Sequence, residues 1–381
     1  MHQDQGSKPI DGIGWAGPGW NNAAMPFPPR VALVIADSSR TGGPEHVLLQ
    51  ALELKEAGWG PVVVCPDGPL RQRCAGGGIP SLGPGRGGWD LPSGPPRLRQ
   101  LLRRLGPDLV HTHGLRAGGL VRRAHLGVPL VHTHHLDSWF ARGSVRRMAH
   151  ARELRRLSRA ARLEIAVSQS VRRFLVDEVG VDGARVRVIP NGVRPLLGEP
   201  RQGPDGRRVA TLSSLIPSKG VDLAITALAT PLGSRLRLTV GGSGPELPGL
   251  LDLATELKVA DRVDFVGPVE DRAAFFASCD VAWVPSRQEP FGLVACEAMT
   301  CGVPVVAARV GGLPEILDPP RAGICVPPAN PAALASVTAA LLDDYERYAR
   351  LSRAGFERAC NEFSASRMGA RTRQVYREVL G

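Results

Sequence analysis

The sequence predicts an α/β protein with two similar halves, each a parallel β-sheet with helices on both faces. The chain has 381 residues, a length that favours two domains over one. Short apolar runs, typical of buried parallel strands, alternate with helical patterns along most of the chain. Residues 194–207 hold Pro, Gly and charge without periodicity, so they are the predicted linker between two such series. Two facing sheets of this kind leave a cleft between them.

The first series, residues 30–193, is the predicted N-terminal domain. Its first strand meets a Gly-Gly pair, 42–43, before the first helical pattern. The predicted strands are 31–36, 61–65, 109–111, 129–133, 164–167 and 186–189. The predicted helices are 45–57, 116–125, 146–162 and a last one that Ser168 caps and that ends at Glu178. Residues 76–96 are rich in Gly and Pro and predict a long loop.

The second series predicts a C-terminal domain over residues 208–362. Its strands are 208–211, 236–240, 263–266, 281–284, 304–307 and 323–326. Its helices are 219–229, 246–257, 271–278 and 292–300, and from Pro331 the pattern is helical to Leu380. Residues 363–381 are expected to form a separate last helix. Ligands of open α/β sheets bind at the carboxyl ends of the strands, so we expect the functional residues on the loops there.

The composition, with 43% hydrophobic and 22% charged residues, is ordinary for a soluble globular protein. No apolar run reaches the ~18 residues of a membrane span. Residues 1–29 are polar and lack the pattern of a secretory signal, so we expect a disordered leader, with Met25 as an alternative start. Seven scattered cysteines without a C-x-x-C pair favour reduced thiols and hence the cytoplasm.

The formal net charge of +11 has two readings that the sequence leaves open. Only four of the 47 basic residues are lysine, a preference for arginine that is typical of a GC-rich genome. Residues 97–173, however, hold seventeen arginines against four acids. That excess predicts a basic face that contacts an anionic membrane surface or a phosphorylated acceptor. No nucleic-acid partner is expected.

The segment from Glu289 to Glu297 carries the strongest functional pattern. It reads EPFGLVACE, with two carboxylates eight positions apart around a turn that begins a helix. The free N–H groups of Phe291, Gly292 and Leu293 at such a helix start suit a phosphate. Carboxylates beside them can accept hydrogen bonds from sugar hydroxyls. The segment therefore predicts a site for a nucleotide-sugar.

Several motifs together carry a resemblance to a known family. They are Pro285-Ser-x-x-Glu289-x-Phe-Gly-Leu-x-x-x-Glu297-Ala-Met, Gly302-x-Pro-Val, Gly311-Gly-Leu-Pro-Glu315, Lys219-Gly220, Gly241-Gly-Ser-Gly-Pro245, Pro190-Asn-Gly-Val193, Gly42-Gly43 and Thr133-His-His135. With these in order over residues from about 30 to 380, the chain resembles family 4 of the glycosyltransferases. The resemblance implies the GT-B fold, two Rossmann-like domains whose parallel sheets face each other across a cleft. It also implies metal-independent transfer of a hexose-type sugar, with retention, from a nucleotide diphosphate sugar to a hydroxyl acceptor.

The resemblance implies three catalytic residues. Glu289 would bind sugar hydroxyls and steady charge near the anomeric carbon, and Lys219 would bind the diphosphate. His135, in the Thr-x-His pattern, would lie near the donor sugar and the acceptor. The corresponding structural readings are a surface acid, an ordinary first-turn lysine and a buried structural histidine.

The expected donor-binding residues are Gly43, Ser214, Lys219, Gly242, Phe291, Gly292, Leu293 and Glu297. Glu297 would reach the ribose hydroxyls. Glycines 43 and 242 would let the backbone approach the ligand closely, although a plain tight turn explains them equally well. Ser214 is a departure, because the family commonly has arginine five residues before the lysine. A hydroxyl there neutralises no phosphate charge.

Five histidines crowd two predicted strand ends: His111, His113, His132, His134 and His135. The H-x-H pattern is one that metal sites use. No acid or cysteine completes a ligand set, and alternate positions of a strand face opposite ways. We therefore predict no metal and no cofactor, the nucleotide-sugar being a co-substrate.

Other functions remain open: a nucleotide-sugar epimerase or inverting transferase on the same fold, a non-catalytic nucleotide-sugar-binding protein suggested by Ser214, and a Rossmann dehydrogenase. The acceptor class is also open between a polysaccharide, a lipid-linked sugar and a small molecule. Loops 76–96 and 135–145 carry Trp89, Trp139 and Phe140, which could stack on an acceptor ring.

Overall fold

A computed structural model describes residues 28–381 except 40, 86, 137–143 and 197, and it does not describe the side chains of 144–146. The predicted leader lies almost wholly outside the described residues. Trp139 and Phe140, two of the three aromatic candidates for acceptor stacking, lie outside them too. None of the helices in the described part of the chain combines the length and apolar character that a membrane span requires.

The N-terminal half contains a seven-stranded parallel sheet in the order β3-β2-β1-β4-β5-β6-β7. Its strands are β1 Arg30–Ile35, β2 Gly60–Val64, β3 Ser81–Leu82, β4 Leu109–His113, β5 Leu130–His134, β6 Leu163–Ala166 and β7 Val186–Val188. Its helices are α1 Gly42–Glu56, α2 Pro69–Gly76, α3 Gly94–Leu105, α4 Leu115–Ala124, α5 Ser144–Ala160 and α6 Gln169–Arg173, which continues into a π-helical turn, Phe174–Val179. The central strands are buried along most of their length because helices cover both faces.

The C-terminal half contains a six-stranded sheet in the order β10-β9-β8-β11-β12-β13, again parallel. Its strands are β8 Arg208–Leu212, β9 Arg237–Gly241, β10 Val263–Gly267, β11 Val281–Val284, β12 Val305–Ala308 and β13 Ile324–Val326. Its helices are α7 Val221–Leu228, α8 Leu247–Glu256, α9 Arg272–Ala277, α10 Leu293–Thr300, α11 Leu313–Leu317, α12 Pro331–Leu342 and α13 Tyr345–Glu362. The predicted fold class is thus confirmed.

Each sheet reverses its strand order once, between β1 and β4 and between β8 and β11. At such a switch point, the loops from two neighbouring strands run to opposite faces and leave a crevice between them. The loops after β8 and β11 carry Lys219 and Glu289, and Gly43 lies in the first turn of α1, the helix that follows β1. The topology alone therefore gathers three of the predicted site residues at the two crevices.

The last helix, α14 Ala365–Leu380, packs on α1 of the first half although it follows the second half in sequence. Gln50 of α1 donates a hydrogen bond to the Tyr376 hydroxyl at 2.6 Å, and a ring nitrogen of His111 lies 2.6 Å from the same oxygen. The backbone N–H of Val193 donates to the carbonyl of Phe363, and the Val193 carbonyl accepts from the N–H of Ala365. These two hydrogen bonds fix the point where the chain returns to the first half.

Four elements were not predicted: α2, β3, α3 and α11. The predicted loop 76–96 contains β3 but only the ends of α2 and α3, and no element was assigned to residues 66–75 or 97–108. Both α2 and α3, however, begin with a proline in the first turn, where the missing N–H costs nothing. The five-residue α11 is too short to show a helical period, and it follows a Gly-Gly pair that usually marks a loop.

Candidate active site

Lys219 and Glu289 lie on two loops that the backbone forces close together. Lys219 ends a 3₁₀ turn after β8, and Gly220 follows it with φ +66°. A Cβ at residue 220 would lie 2.2 Å from the carbonyl oxygen of Pro285, at the end of β11. Only glycine fits this contact, so Gly220 allows the lysine turn to pack against the glutamate loop.

The two side chains form an ion pair. The Lys219 Nζ donates to Oε2 of Glu289 at 2.7 Å, and the Ser286 hydroxyl donates to the same oxygen at 3.2 Å. Both side chains are partly buried, with 25% and 14% of their surface exposed. The structure therefore brings two of the three predicted catalytic residues into direct contact.

Arg287, which was not predicted as a site residue, stabilises the turn Pro217–Lys219. Its guanidinium donates to both carboxylate oxygens of Asp222, at 2.7 and 2.6 Å, and to the carbonyl of Pro217 at 2.9 Å. Its backbone N–H donates to Ser218 at 2.8 Å. A bidentate arginine of this kind fixes geometry as well as charge. No sequence signal pairs positions 222 and 287, since the fold alone makes them neighbours.

The N-terminus of α10 begins directly after Glu289. Gly292 adopts φ +118°, and a Cβ there would lie 2.8 Å from Leu313, so this turn also requires glycine. The Phe291 side chain is buried and packs near Phe363, so its contribution to the site is its backbone amide. The first N–H groups of the helix lack intrahelical partners and carry its partial positive charge.

Glu297 lies on the second turn of α10 with only 6% of its surface exposed. Arg272 donates to Oε1, whereas Oε2 has no hydrogen-bond partner among the described residues. Burial raises the pKa of the Glu297 carboxyl from 4.5 to about 7, although the Arg272 guanidinium opposes the shift. A buried carboxylate oxygen without a donor is uncommon and suggests that a ligand hydroxyl supplies one.

The N-terminus of α1 faces α10 from the other half. A Cβ at Gly42 would lie 3.2 Å from the Leu293 side chain. The charge of Glu45, in the first turn of α1, also contributes to the raised pKa of Glu297. At Gly43 a Cβ would meet only Ile35, at 3.7 Å, so packing within the described residues does not require glycine there.

Gly242 has a structural explanation. Its φ is +122°, and a Cβ would lie 1.8 Å from the carbonyl oxygen of Ser213. Gly244 is also close to a backbone, since a Cβ there would lie 2.3 Å from the carbonyl oxygen of Leu215. These glycines let the end of β9 pack against the turn that carries Ser214, whose own side chain is exposed. The structure therefore explains Gly242 without a ligand, while its predicted contact with the donor remains a prediction.

The strand histidines divide into two groups. Three of them are held in hydrogen bonds between elements: His111 with Thr133 at 2.7 Å, His132 with Thr112 at 2.7 Å, and His134 with Glu164 at 2.5 Å. This supports the structural reading for those three. The acid Glu164, which the sequence analysis did not connect with the histidines, is the buried partner of His134.

His113 and His135 belong to a second group, together with His46 of α1. One ring nitrogen from each of the three lies within 4.8 Å of the others. Burial lowers the pKa of His46 from 6.5 to about 4 and holds the pKa values of His113 and His135 well below 6.5. His46 was missed because it lies on a helix outside the H-x-H pattern.

Contacts across the cleft join the two halves. Glu315 of α11 accepts hydrogen bonds from the backbone N–H groups of Gln169 and Ser170 at 2.7 and 2.8 Å. The Ser168 hydroxyl donates to the carbonyl of Pro290 at 2.7 Å while it accepts from Val171, so its predicted role as a helix cap is confirmed. The start of α6 is therefore fixed against the loop that follows Glu289.

Comparison with known proteins supports the predicted resemblance. Residues 199–358 match the family model of glycosyl transferases group 1, and residues 40–195 match that of Glycosyltransferase Family 4. A D-inositol 3-phosphate glycosyltransferase of Acidothermus cellulolyticus is 36% identical to this chain. The match covers 62% of this chain and 60% of that relative. An MMP alpha-(1->4)-mannosyltransferase of Mycolicibacterium hassiacum is 32% identical, over 73% of this chain and 72% of the relative.

A crystal structure of Anabaena Alr3699/HepE in complex with UDP and glucose has the same fold. Its TM-score is 0.79 at 23% identity, and the match covers 91% of this chain and 99% of that protein. With the two family models, this likeness confirms the GT-B fold predicted from the sequence.

Replacing Gly242 by alanine tests the structural explanation of that glycine. We expect the free energy of unfolding to fall by about 2 kcal/mol or more, because the new Cβ collides with the Ser213 carbonyl and the backbone is strained. Gly249→Ala is the matched control, since Gly249 lies in α8 with no heavy atom within 4 Å of the added Cβ. It should stabilise the protein slightly. Equal urea unfolding curves for the two variants would refute the explanation.

Replacing Glu297 by glutamine tests the raised pKa. In the folded state the Glu297 carboxyl binds its proton more tightly than in the unfolded chain, so its contribution to stability falls as the pH rises from 4.5 to about 7. The variant lacks this contribution. We expect the difference in unfolding free energy, wild type minus variant, to fall by about 3 kcal/mol across that range, as measured by urea unfolding.

The difference between the two proteins is the quantity to measure. His46, whose pKa is lowered, contributes a slope of the opposite sign between pH 4 and 6.5, but that slope is common to both proteins. A difference that stays constant with pH would show that Glu297 titrates normally in the folded protein.

Proposed function

The chain belongs to the glycosyltransferases of group 1 and family 4, and on that basis we propose that it transfers a hexose-type sugar from a nucleotide diphosphate sugar to a hydroxyl acceptor with retention of configuration. The observation that carries the proposal is the Lys219–Glu289 ion pair at the N-terminus of α10. It places a cation, a carboxylate and free backbone amides within one crevice. Those are the groups needed to hold a sugar next to a diphosphate.

In this proposal the diphosphate of the donor lies between Lys219 and the amides of residues 291–293. A phosphate oxygen competes with Glu289 for the ammonium group of Lys219, because both are anions that accept its hydrogen bonds. Binding of the donor thus frees the Glu289 carboxylate to accept hydrogen bonds from the sugar. The ammonium and the helix amides then stabilise the negative charge that develops as the nucleoside diphosphate leaves.

Glu297 binds the ribose in this proposal. A ribose hydroxyl would donate to Oε2, the buried oxygen that lacks a partner among the described residues. Arg272, already bound to Oε1, would keep the carboxylate oriented. The two glutamates of the 289–297 segment then have separate tasks, one at the sugar and one at the nucleoside, because they lie on a loop and on the second helical turn.

The acceptor would bind to the N-terminal half, with His135 positioning its hydroxyl. Burial holds the pKa of His135 well below 6.5, so at neutral pH its imidazole is uncharged and one ring nitrogen can accept a hydrogen bond from a hydroxyl. We propose an oxocarbenium-like transition state without a metal ion, in which orientation of the acceptor and stabilisation of the leaving group lower the barrier. Trp89 packs against the core of the N-terminal half, which makes stacking on an acceptor less favourable for it.

We also propose that the protein is cytoplasmic and that its basic segment, residues 97–173, contacts an anionic membrane surface. Part of its charge is already neutralised, since Glu153 pairs with Arg122 and Arg123. Several arginines of the segment are exposed, among them Arg103 and Arg104 of α3, and these carry the remaining argument for such a contact.

Donor screening tests the proposal. We expect one of UDP-, GDP-, ADP- or dTDP-glucose to raise the melting temperature by mass action. With an acceptor panel, release of the nucleoside diphosphate should follow, and NMR of the product should show the anomeric configuration of the donor. Activity should survive EDTA. Tight binding without turnover would favour the non-catalytic binding protein, and an inverted product would refute retention.

Gly43→Ala should abolish the donor-induced rise in melting temperature, because the new methyl group occupies space that the protein leaves free for the ligand. The melting temperature without donor should stay within about 1 °C of wild type, since the Cβ clears Ile35 at 3.7 Å. Gly76→Ala, on α2 with open surroundings, is the matched control and should keep the full donor effect. A normal donor effect in Gly43→Ala would contradict the assignment.

Lys219→Met should lower kcat/KM by about 100-fold, because the variant loses a charge that stabilises the leaving diphosphate. Lys258→Asn, at a residue with φ +57° that asparagine tolerates, is the control and should retain normal kinetics. Steady-state release of nucleoside diphosphate measures both. A Lys219→Met enzyme whose kcat/KM lies within twofold of the wild-type value would show that the lysine does not take part in the transfer.

A further inference from the structure

The histidine cluster of His46, His113 and His135 is assembled from three separate elements. His46 lies in the second turn of α1, His113 ends β4, and His135 follows β5 by one residue. All three elements meet at the carboxyl edge of the N-terminal sheet. His46 and His113 are 3% and 2% exposed, whereas His135 is half-buried on the cleft side of the cluster.

The spacing of the ring nitrogens resembles that of a metal ligand set. Nδ1 of His113 and Nε2 of His135 are 3.4 Å apart. Two nitrogens bound to one tetrahedral Zn²⁺ at about 2.0–2.1 Å are about 3.3 Å apart, so this pair already has the required separation. The third nitrogen, on His46, lies within 4.8 Å of both.

The cluster's hydrogen bonding also leaves room for a ligand. Nδ1 of His46 and Nε2 of His113 are buried without a hydrogen-bond partner among the described residues. The 3.4 Å separation within the pair is long for a hydrogen bond between rings. Buried polar atoms normally have partners, so Nδ1 of His46 is open to a ligand, whereas the Nε2 of His113 is not the nitrogen that faces His135. Burial also favours the neutral imidazole, which is the form that binds metals.

We propose that His46, His113 and His135 form a binding site for a transition-metal ion of the zinc class. Three imidazoles and one position open to solvent or ligand are a known arrangement for such ions. Imidazole nitrogen suits Zn²⁺, Co²⁺, Ni²⁺ and Cu²⁺, whereas Mg²⁺ and Ca²⁺ prefer oxygen ligands. The fourth position would lie open beside His135, which is half-buried and the most accessible of the three histidines. The sugar-transfer chemistry proposed above uses no metal, but His135 belongs to both sites, so an ion bound here would take His135 away from the acceptor.

The amides of Asn191 and Gln50 support the assignment. Both side chains favour positive charge on the His46 ring, and Oδ1 of Asn191 and Oε1 of Gln50 are buried without a hydrogen-bond partner among the described residues. Partners of this kind hold a metal-binding histidine in one orientation and increase its affinity for the ion. The sequence pattern alone could not show the site, because one ligand comes from a helix more than sixty residues before the H-x-H pair.

Cobalt binding tests the proposal on the full chain, without an affinity tag and after treatment with a chelator. We expect one equivalent of Co²⁺ to produce the intense visible absorption of a four-coordinate ion, and Zn²⁺ to displace it. His46→Gln and His113→Gln should each weaken binding by at least about tenfold, since even loss of an outer-shell partner costs that much. His125→Asn, at an exposed histidine with φ +48°, should bind like wild type.

X-ray absorption of the zinc-loaded wild type keeps the test valid if a variant fails to fold. It should show three imidazole ligands and no sulfur. The proposal is overturned by a wild type that binds no stoichiometric Co²⁺, by unchanged affinity in both folded cluster variants, or by a spectrum dominated by cysteine sulfur. None of these readouts depends on glycosyl transfer, so their outcome is independent of the proposed function.

Discussion

The close approach of the Gly220 turn to the end of β11 is the constraint on which the rest of the site depends. It is a backbone contact, since a Cβ at that position would lie 2.2 Å from the Pro285 carbonyl. The contact brings the turn after β8 next to the loop after β11. Two ion pairs form there, Lys219 with Glu289 and Arg287 with Asp222. The charged groups adopt their geometry because two neighbouring parallel strands end side by side at a reversal of strand order.

A second consequence concerns the cleft between the halves. The loop that follows Glu289 contacts the N-terminal half directly, since Ser168 donates to Pro290 and Glu315 caps the start of α6. One apolar cluster also contains buried side chains from both halves, among them Val171 and Phe291. The helix N-terminus that we propose for the diphosphate is therefore held in place by the half that we propose for the acceptor. A change in the relative position of the halves would therefore change the distance between the two sites.

Much of the fold and part of the site could be predicted from the sequence. The strands were recognised because parallel strands buried on both faces are continuous apolar runs, and α10 was recognised from the Pro-Phe-Gly turn before it. Helices α2 and α3 were missed because no element was assigned to residues 66–75 or 97–108, which adjoin the Gly- and Pro-rich stretch 76–96, and α11 was missed because it is too short to show a helical period. Glu289 and Lys219 were named from the motif, but their direct contact was not, because it depends on the strand order.

The remaining site features are consequences of packing that a single sequence does not reveal. His46 joins His113 and His135 only because α1 passes over the carboxyl edge of β4 and β5. Gly242 and Gly43 look alike in sequence, yet one lies against the Ser213 backbone and the other beside open space. Arg287 and Arg272 matter through partners that lie 65 and 25 positions away in the chain.

A crystal structure with a bound nucleotide-sugar tests the central claim most directly. The account predicts a diphosphate on the backbone amides of residues 291–293, with Lys219 turned from Glu289 to a phosphate oxygen and the ribose against Glu297. A ligand bound outside this crevice, or a diphosphate in place while Lys219 stays paired with Glu289, would contradict it.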